Sequence, residues 1–507
     1  MISRFTLNCA VFARTSLCLA ALALGVAACG GGGSDAGTPP FASDGPGVSP
    51  FPPDDGNGGS IGASSQYAGV LTNSAPGAGA QASDWSATSC TSERQRYWVR
   101  ADLNEDYLFY DALPSIDPLA YVGPTDVFYQ MTRVSLASRD RFSFVIAQSE
   151  ADATFQAGTA TGTGASFAYD GQNRLRVAYV ETGSPADGQL VRGAQIVSID
   201  GTPVGSELTD VQSAALYPEA AGGTIALGVK TTPADATTAT VSLTNAVYTL
   251  HPVHRSDLLP DGVGYLHYTD FSSPAGELQL ADAIAAFADQ GVSDLVLDLR
   301  YNGGGYLAIS SQLGYMLAGA GRTADKTFET LVHNRKRRDD DVAYPFFDEV
   351  IGFAGTEREG EALPSLNLSR VFVLVSGNTC SASESLISGL RGIGLEVVLI
   401  GRTTCGKPYG FTQENNCTLA YFPLEFEGRN HLGQTFPASG ITPTCTVADD
   451  FDRALGSTTE GMLAAALAYR STGSCTVASE QSLQSERPHA GKIEARSPLR
   501  EIKLLRR

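Results

Sequence analysis

The residues with the types and placement to do acyl-transfer chemistry are Ser381 and Lys407. Ser381 opens the segment Ser381-Ala382-Ser383-Glu384, preceded by Cys380. An apolar run, Val371 to Ser376 (VFVLVS), lies before it, and a helix is predicted from Ser383 to Gly392. A serine at that junction stands beside free backbone N–H groups and the positive end of a helix. The same amides can stabilise the oxyanion of a tetrahedral intermediate. A serine without a base is a weak nucleophile, and an isolated one at a helix start is better read as an N-cap. The partner changes that reading. A second apolar run, Glu396 to Gly401 (EVVLIG), leads into Arg402-Thr403-Thr404-Cys405-Gly406-Lys407. Neighbouring parallel strands deliver their C-terminal loops to one edge of a sheet, where α/β sites gather. Lys407 would then project toward Ser381. A lysine acts as a base when neutral, a state that burial favours.

The elements around this pair must form the platform. Val263 to Tyr268 (VGYLHY) and Leu295 to Leu299 (LVLDL) read as strands, with an amphipathic helix from Pro274 to Gln290 between them. This alternation predicts a parallel or mixed sheet covered by helices. No G-x-S-x-G elbow occurs, which argues against an α/β-hydrolase esterase. Between residues 160 and 245, short β-rich runs alternate with turns: SFAYD, RLRVAYVE, AQIVSIDG, TIALGVK and TATVSLT. Before them, Tyr97, Val99, Leu103, Tyr107 and Leu108 recur at helical spacing, and Pro124 to Met131 is a second helical piece.

Two resemblances follow from these segments. LRVAYVETGSPADGQLVRGAQIVSIDGTPV resembles a PDZ domain, although Ala194 stands where that family usually has Asp. Such domains bind an extended C-terminal peptide by strand addition and cradle its carboxylate with backbone amides. By position, that peptide-binding loop falls at Gly164, Ala165, Ser166 and Phe167. Residues 90 to about 447 as a whole resemble the C-terminal processing (tail-specific) peptidases of family S41. The matching pieces occur in family order. They are Asp298-Leu299-Arg300-Tyr301-Asn302-Gly303-Gly304-Gly305, then Ser381 to Glu384, Gly406-Lys407, and Gly440-Ile441-Thr442-Pro443.

The resemblance implies a mixed α/β (α+β) fold: a crotonase/ClpP-like peptidase core with an inserted PDZ-like β domain and a small helical N-terminal domain. It implies a Ser–Lys dyad in which Ser381 attacks and Lys407 is the base. The oxyanion hole would be the Ala382 amide plus a glycine of the Asn-x-Gly-Gly turn, Gly304 with Gly303 next. No metal or other cofactor is expected. Two features depart from the family. The Ser-to-Lys segment is about one residue longer than usual, and Phe411 stands where some members carry an orienting Gln. Gln413 is the nearest substitute. Because Cys380 and Cys405 flank the dyad, a disulfide between them would lock the two loops.

The remaining signals concern address and partners. The formal net charge of −19 argues against nucleic acid. Arg4 and Arg14 precede a short apolar stretch that ends in Val26-Ala27-Ala28-Cys29. That pattern matches a bacterial lipobox, so residues 1–28 are read as a signal peptide and Cys29 as the lipidation site. The expected protein is an exported lipoprotein, periplasmic or attached to the outer membrane or cell surface. Residues 29–88 are a low-complexity tether, predicted to be disordered. The expected domains are 89–155 (helical), 156–248 (PDZ-like) and 249–470 (peptidase core), with a basic, disordered tail at 471–507. Cys90, Cys380, Cys405, Cys417, Cys445 and Cys475 favour three disulfides in an oxidising compartment. No C-x-x-C pair supports zinc. Protein or peptide substrates with free C-termini are the expected partners. The competing readings are an inactive peptide-binding lipoprotein and an esterase or amidase using the same dyad.

Overall fold

The computed structural model describes residues 90–475, except 219 and 354, and the backbone of 502–504. The expected signal peptide, Cys29, the tether and most of the tail lie outside the described residues.

Helix α1 (Ser92–Asp106) starts at Thr91, whose side chain accepts from the Arg94 amide, and it buries the predicted apolar stripe Tyr97, Val99 and Leu103. Helix α2 (Pro124–Tyr129) runs into a π-type turn through Val134. Strand β1 (Phe144–Ala147) and α3 (Gln148–Phe155) complete this part. It is no free-standing cap. Strand β1 pairs antiparallel with a strand at Leu419–Phe422, and Trp98 packs on Tyr421 with ring centroids 4.9 Å apart. A Cys90–Cys417 disulfide joins the start of α1 to the same region.

Strand β2 (Thr159–Gly162) leads into the β domain, which comprises β3 (Ala165–Tyr169), β4 (Leu175–Val180), β5 (Gln195–Ile199), β6 (Thr202–Pro203), α4 (Asp210–Leu216), β7 (Thr224–Lys230) and β8 (Ala239–Thr244). The chain leaves through β9 (Ala246–Thr249), which pairs antiparallel with β2, so entry and exit form one two-stranded stem. The sheet order is β3-β4-β5-β7-β8, with β6 on β5, so β3 is an edge strand. Phe167, Leu175, Val177, Ile196 and Leu227 fill its core.

The core domain follows: β10 (Val253–Leu259), β11 (Val263–Tyr268), α5 (Ala275–Asp289), β12 (Asp294–Asp298), β13 (Gly304–Tyr306), α6 (Leu307–Ala318), α7 (Ala320–Thr323), β14 (Thr327–His333), β15 (Val342–Pro345), β16 (Arg370–Val375), α8 (Ala382–Gly392), β17 (Glu396–Gly401), β18 (Tyr409–Gly410), β19 (Glu414–Asn416), β20 (Leu419–Phe422), β21 (Phe426–Arg429), β22 (Cys445–Thr446) and α9 (Gly461–Thr472). Its main sheet has the order β10-β11-β12-β16-β17-β22 and is parallel except for the antiparallel β10–β11 pair. Strands β11 and β12 are buried at every position, which is why they read as continuous apolar runs rather than alternating ones. Met462, Leu463 and Ala466 of α9 pack on Val296, Phe372, Val398 and Ile400. Each fully buried aliphatic side chain of this kind stabilises the fold by roughly 1.5–3 kcal/mol. A further strand, β23 (Ile502–Leu504), pairs with β13. Among the described residues no helix is long and apolar enough to cross a membrane.

Candidate active site

Strands β12, β16 and β17 are adjacent and parallel, in the registers Val296↔Phe372 and Phe372↔Val398. Their C-terminal loops therefore emerge on one edge. The first carries Asn302 to Gly305, the second Cys380 and Ser381, the third Cys405 to Lys407.

Ser381 sits at a sharp elbow with φ 61° and ψ −113°. That conformation is sparsely populated for a residue with a Cβ and costs about 1–3 kcal/mol, so the surroundings must impose it. Its Oγ is buried and has no hydrogen-bond partner among the described residues. The N-cap reading therefore fails, since that role requires the hydroxyl to accept a backbone N–H.

The elbow is held through Glu384, one turn into α8. Its carboxylate accepts the Ser381 amide (2.9 Å), the Gly406 amide (2.8 Å), the Lys407 amide (2.9 Å) and the Thr404 hydroxyl. One buried side chain thus joins the nucleophile's loop to the base's loop. Burial pushes the Glu384 carboxyl up from its ordinary range, against the downward pull of these hydrogen bonds. The Cys380–Cys405 disulfide, with Cα atoms 5.1 Å apart, ties the same two loops as expected. Cys380, Glu384 and Cys405 lie close enough to suit a metal ion, but the two sulfurs are bonded to each other and no thiolate pair is on offer. The third pair is Cys445–Cys475.

Lys407 is fully buried, its Nζ 4.1 Å from the ring centre of Phe411 and 5.3 Å from that of Phe142. Phe411 thus lines the amine's slot, at the position where the resemblance leads one to expect an orienting Gln. Gln413 does not substitute for it: it donates to Asn415 Oδ1 (2.9 Å) in an exposed contact on the β19 hairpin.

The glycine turn is laced to the elbow. Asn302 O accepts from the Cys380 amide (3.1 Å) and the Ser383 hydroxyl (3.1 Å). Ala382, as the first residue of α8, presents an amide without an intrahelical acceptor. Gly304, the expected second oxyanion donor, instead donates to Asn302 Oδ1 (2.9 Å). Gly303 N–H forms no hydrogen bond among the described residues. Gly305 has φ 137°, and a Cβ there would lie 2.1 Å from the Phe271 carbonyl carbon, so the turn admits only glycine.

The expected peptide-binding residues divide. Gly164, Ala165 and Ser166 line a cavity of about 1150 Å³ together with Ser213 and Leu216 of α4. Phe167 belongs to the β-domain core instead. The same cavity reaches Gly303 of the glycine turn.

Sequence reading missed the junction of the two domains. Arg192 of the β domain donates to Tyr301 Oη (2.7 Å) and Asp449 (2.7 Å). Arg300, fully buried, bonds Asp298, Asp449 (2.8 Å) and Glu460 (2.7 Å). Burial alone would raise the Asp449 carboxyl, but Arg192 and Arg300 hold it down at about 2. The D-L-R of the glycine-turn motif was the only signal of this network, and its acidic partners lie far along the chain.

Comparison with known proteins agrees with this fold. A putative S41 protease from Bacteroides fragilis superposes with a TM-score of 0.58 at 26% identity, over 74% of this chain and 97% of that one. The core is thus an S41 protease fold. Residues 262–446 match the model of peptidase family S41. The chloroplastic C-terminal processing peptidase of Tetradesmus obliquus is 32% identical over 181 residues. The match covers 32% of this chain and spans 38% of that relative's length. A PDZ domain of a carboxy-terminal protease from Vibrio cholerae aligns over 18% of this chain and 99% of its own length, at 20% identity and a TM-score of 0.16.

Proposed function

We propose that this chain is an exported serine endopeptidase that uses Ser381 as nucleophile and Lys407 as general base, tethered through a lipid on Cys29. One observation carries the reading. The strained Ser381 elbow, with an unbonded hydroxyl, is joined through Glu384 to the backbone of Lys407.

Neutral Lys407 Nζ takes the Ser381 proton as Oγ attacks the scissile carbonyl. The amide of Ala382 and that of Gly303 receive the oxyanion. Lys407 then protonates the leaving amine, and water hydrolyses the acyl-enzyme by the reverse proton path. Edge strand β3 and α4 hold the substrate's C-terminal segment by strand addition. The cavity's continuity to Gly303 supports delivery of that segment to the cleft.

The test uses unfolded proteins with apolar or charged C-termini. Wild type cleaves them, with apolar ends preferred, and Ser381→Ala and Lys407→Ala lose on the order of 10⁴-fold in kcat. Equal turnover by all three would sink the mechanism.

A further inference from the structure

Strand β13 begins at Gly304, in the turn beside the nucleophile. One of its edges is closed from within. Phe271 N donates to Gly304 O (2.8 Å), Tyr306 N donates to Phe271 O (3.0 Å), and Phe271 bridges Gly305. The other edge takes the chain's own β23, parallel, in the register Gly304↔Ile502, Gly305↔Lys503 and Tyr306↔Leu504. Strand β23 also lies against β18, which follows Lys407, and against α8, which carries Ser381 at its start. In this state Ser381 and Lys407 are both fully buried.

We propose that residues 502–504 dock in cis on the strand edge that a substrate's main chain uses, so that the chain's own tail competes with substrate. The inference rests on Ser381 being the nucleophile. A backbone ladder recognises extended peptide with little regard to sequence. A tethered segment also holds an effective concentration of about 1 mM, enough to compete with a free peptide. The occupant class is therefore an extended peptide strand, supplied internally at rest and by substrate during turnover.

The experiment compares the full chain with a variant lacking residues 501–507. Deletion is expected to lower the apparent KM about tenfold at unchanged kcat. A synthetic peptide of residues 499–507 should inhibit the truncated enzyme competitively, and Leu504→Pro, which removes the backbone donor that the parallel register aims at Gly305, should shift KM the same way. Unchanged KM, together with no inhibition by the peptide, overturns the proposal.

A second arm needs no catalysis. In the Ser381→Ala background, hydrogen exchange at Gly305, the β13 amide that faces β23, should rise about tenfold on deletion. No change there overturns the docking by itself. A rise there while no variant cleaves any protein supports the docking and rejects the Ser–Lys reading instead.

Discussion

The candidate catalytic cleft and the β-domain groove are built in opposite ways. The cleft is closed and cross-braced. Ser381 and Lys407 are fully buried, and their loops are joined by the Glu384 carboxylate and by a disulfide. The groove is part of a cavity of about 1150 Å³, where residues of β3 and small side chains of α4 such as Ser213 and Ala214 form one wall. Chemistry needs reacting atoms held to a fraction of an ångström, whereas strand addition needs an accessible edge and tolerates many sequences. Cross-bracing lies where the proposed chemistry would need it, and the proposed peptide groove opens into a cavity.

The sharpest way to break this contrast is Glu384→Gln. Its loss of negative charge should loosen both loops, lowering kcat about 10²-fold with KM and peptide binding unchanged, since misplacing a reacting group by 1 Å costs about that much. A change in KM instead would assign Glu384 to substrate binding. Next, replacing Cys380 and Cys405 together with Ser should remove roughly 3 kcal/mol of stability, read as a denaturant midpoint, because the closed loop constrains the unfolded chain. Equal stability would mean that Glu384 alone fixes the loops.

The junction gives a third test. Asp449 is held at about 2 in the folded protein, below the ordinary value of about 3.9. Its stabilisation is therefore complete above about pH 4 and lost as pH falls toward 2, an effect of about 2–3 kcal/mol. In Asp449→Asn that portion of the acid sensitivity should vanish from the unfolding curve. The smallest effect belongs to the groove. Ala214→Trp, placed on α4 facing the cavity, should raise KM about tenfold for protein substrates, or about 1.4 kcal/mol, with kcat unchanged. A fall in kcat would show that the groove acts on the chemistry itself.

The legible parts share a physical cause. VGYLHY and EVVLIG fall on β11 and β17 residue for residue, because strands buried on both faces over nearly all their length are mostly apolar. Ser381 was legible because its helix-start position and motif are local. The misreadings turned on local backbone geometry that a motif does not show. Phe167 stands one residue past the groove lining, and strand alternation turned it into the core. Gln413 was chosen by proximity in sequence, but the β19 hairpin directs it to Asn415. The glycine motif points to Gly304 as readily as to Gly303, but the turn gives the Gly304 amide to Asn302.

What the sequence by itself determined is the inventory: the alternating strands and helices, the elbow serine, the glycine turn and the lysine loop, all set by local periodicity and turn chemistry. What only the tertiary structure decided is who meets whom. Glu384 reaching the amides of Gly406 and Lys407, Arg300 finding Asp449 and Glu460, and β23 lying on β13 are long-range contacts fixed by sheet order. Their energies depend on burial and exact geometry, which no local pattern of residues encodes.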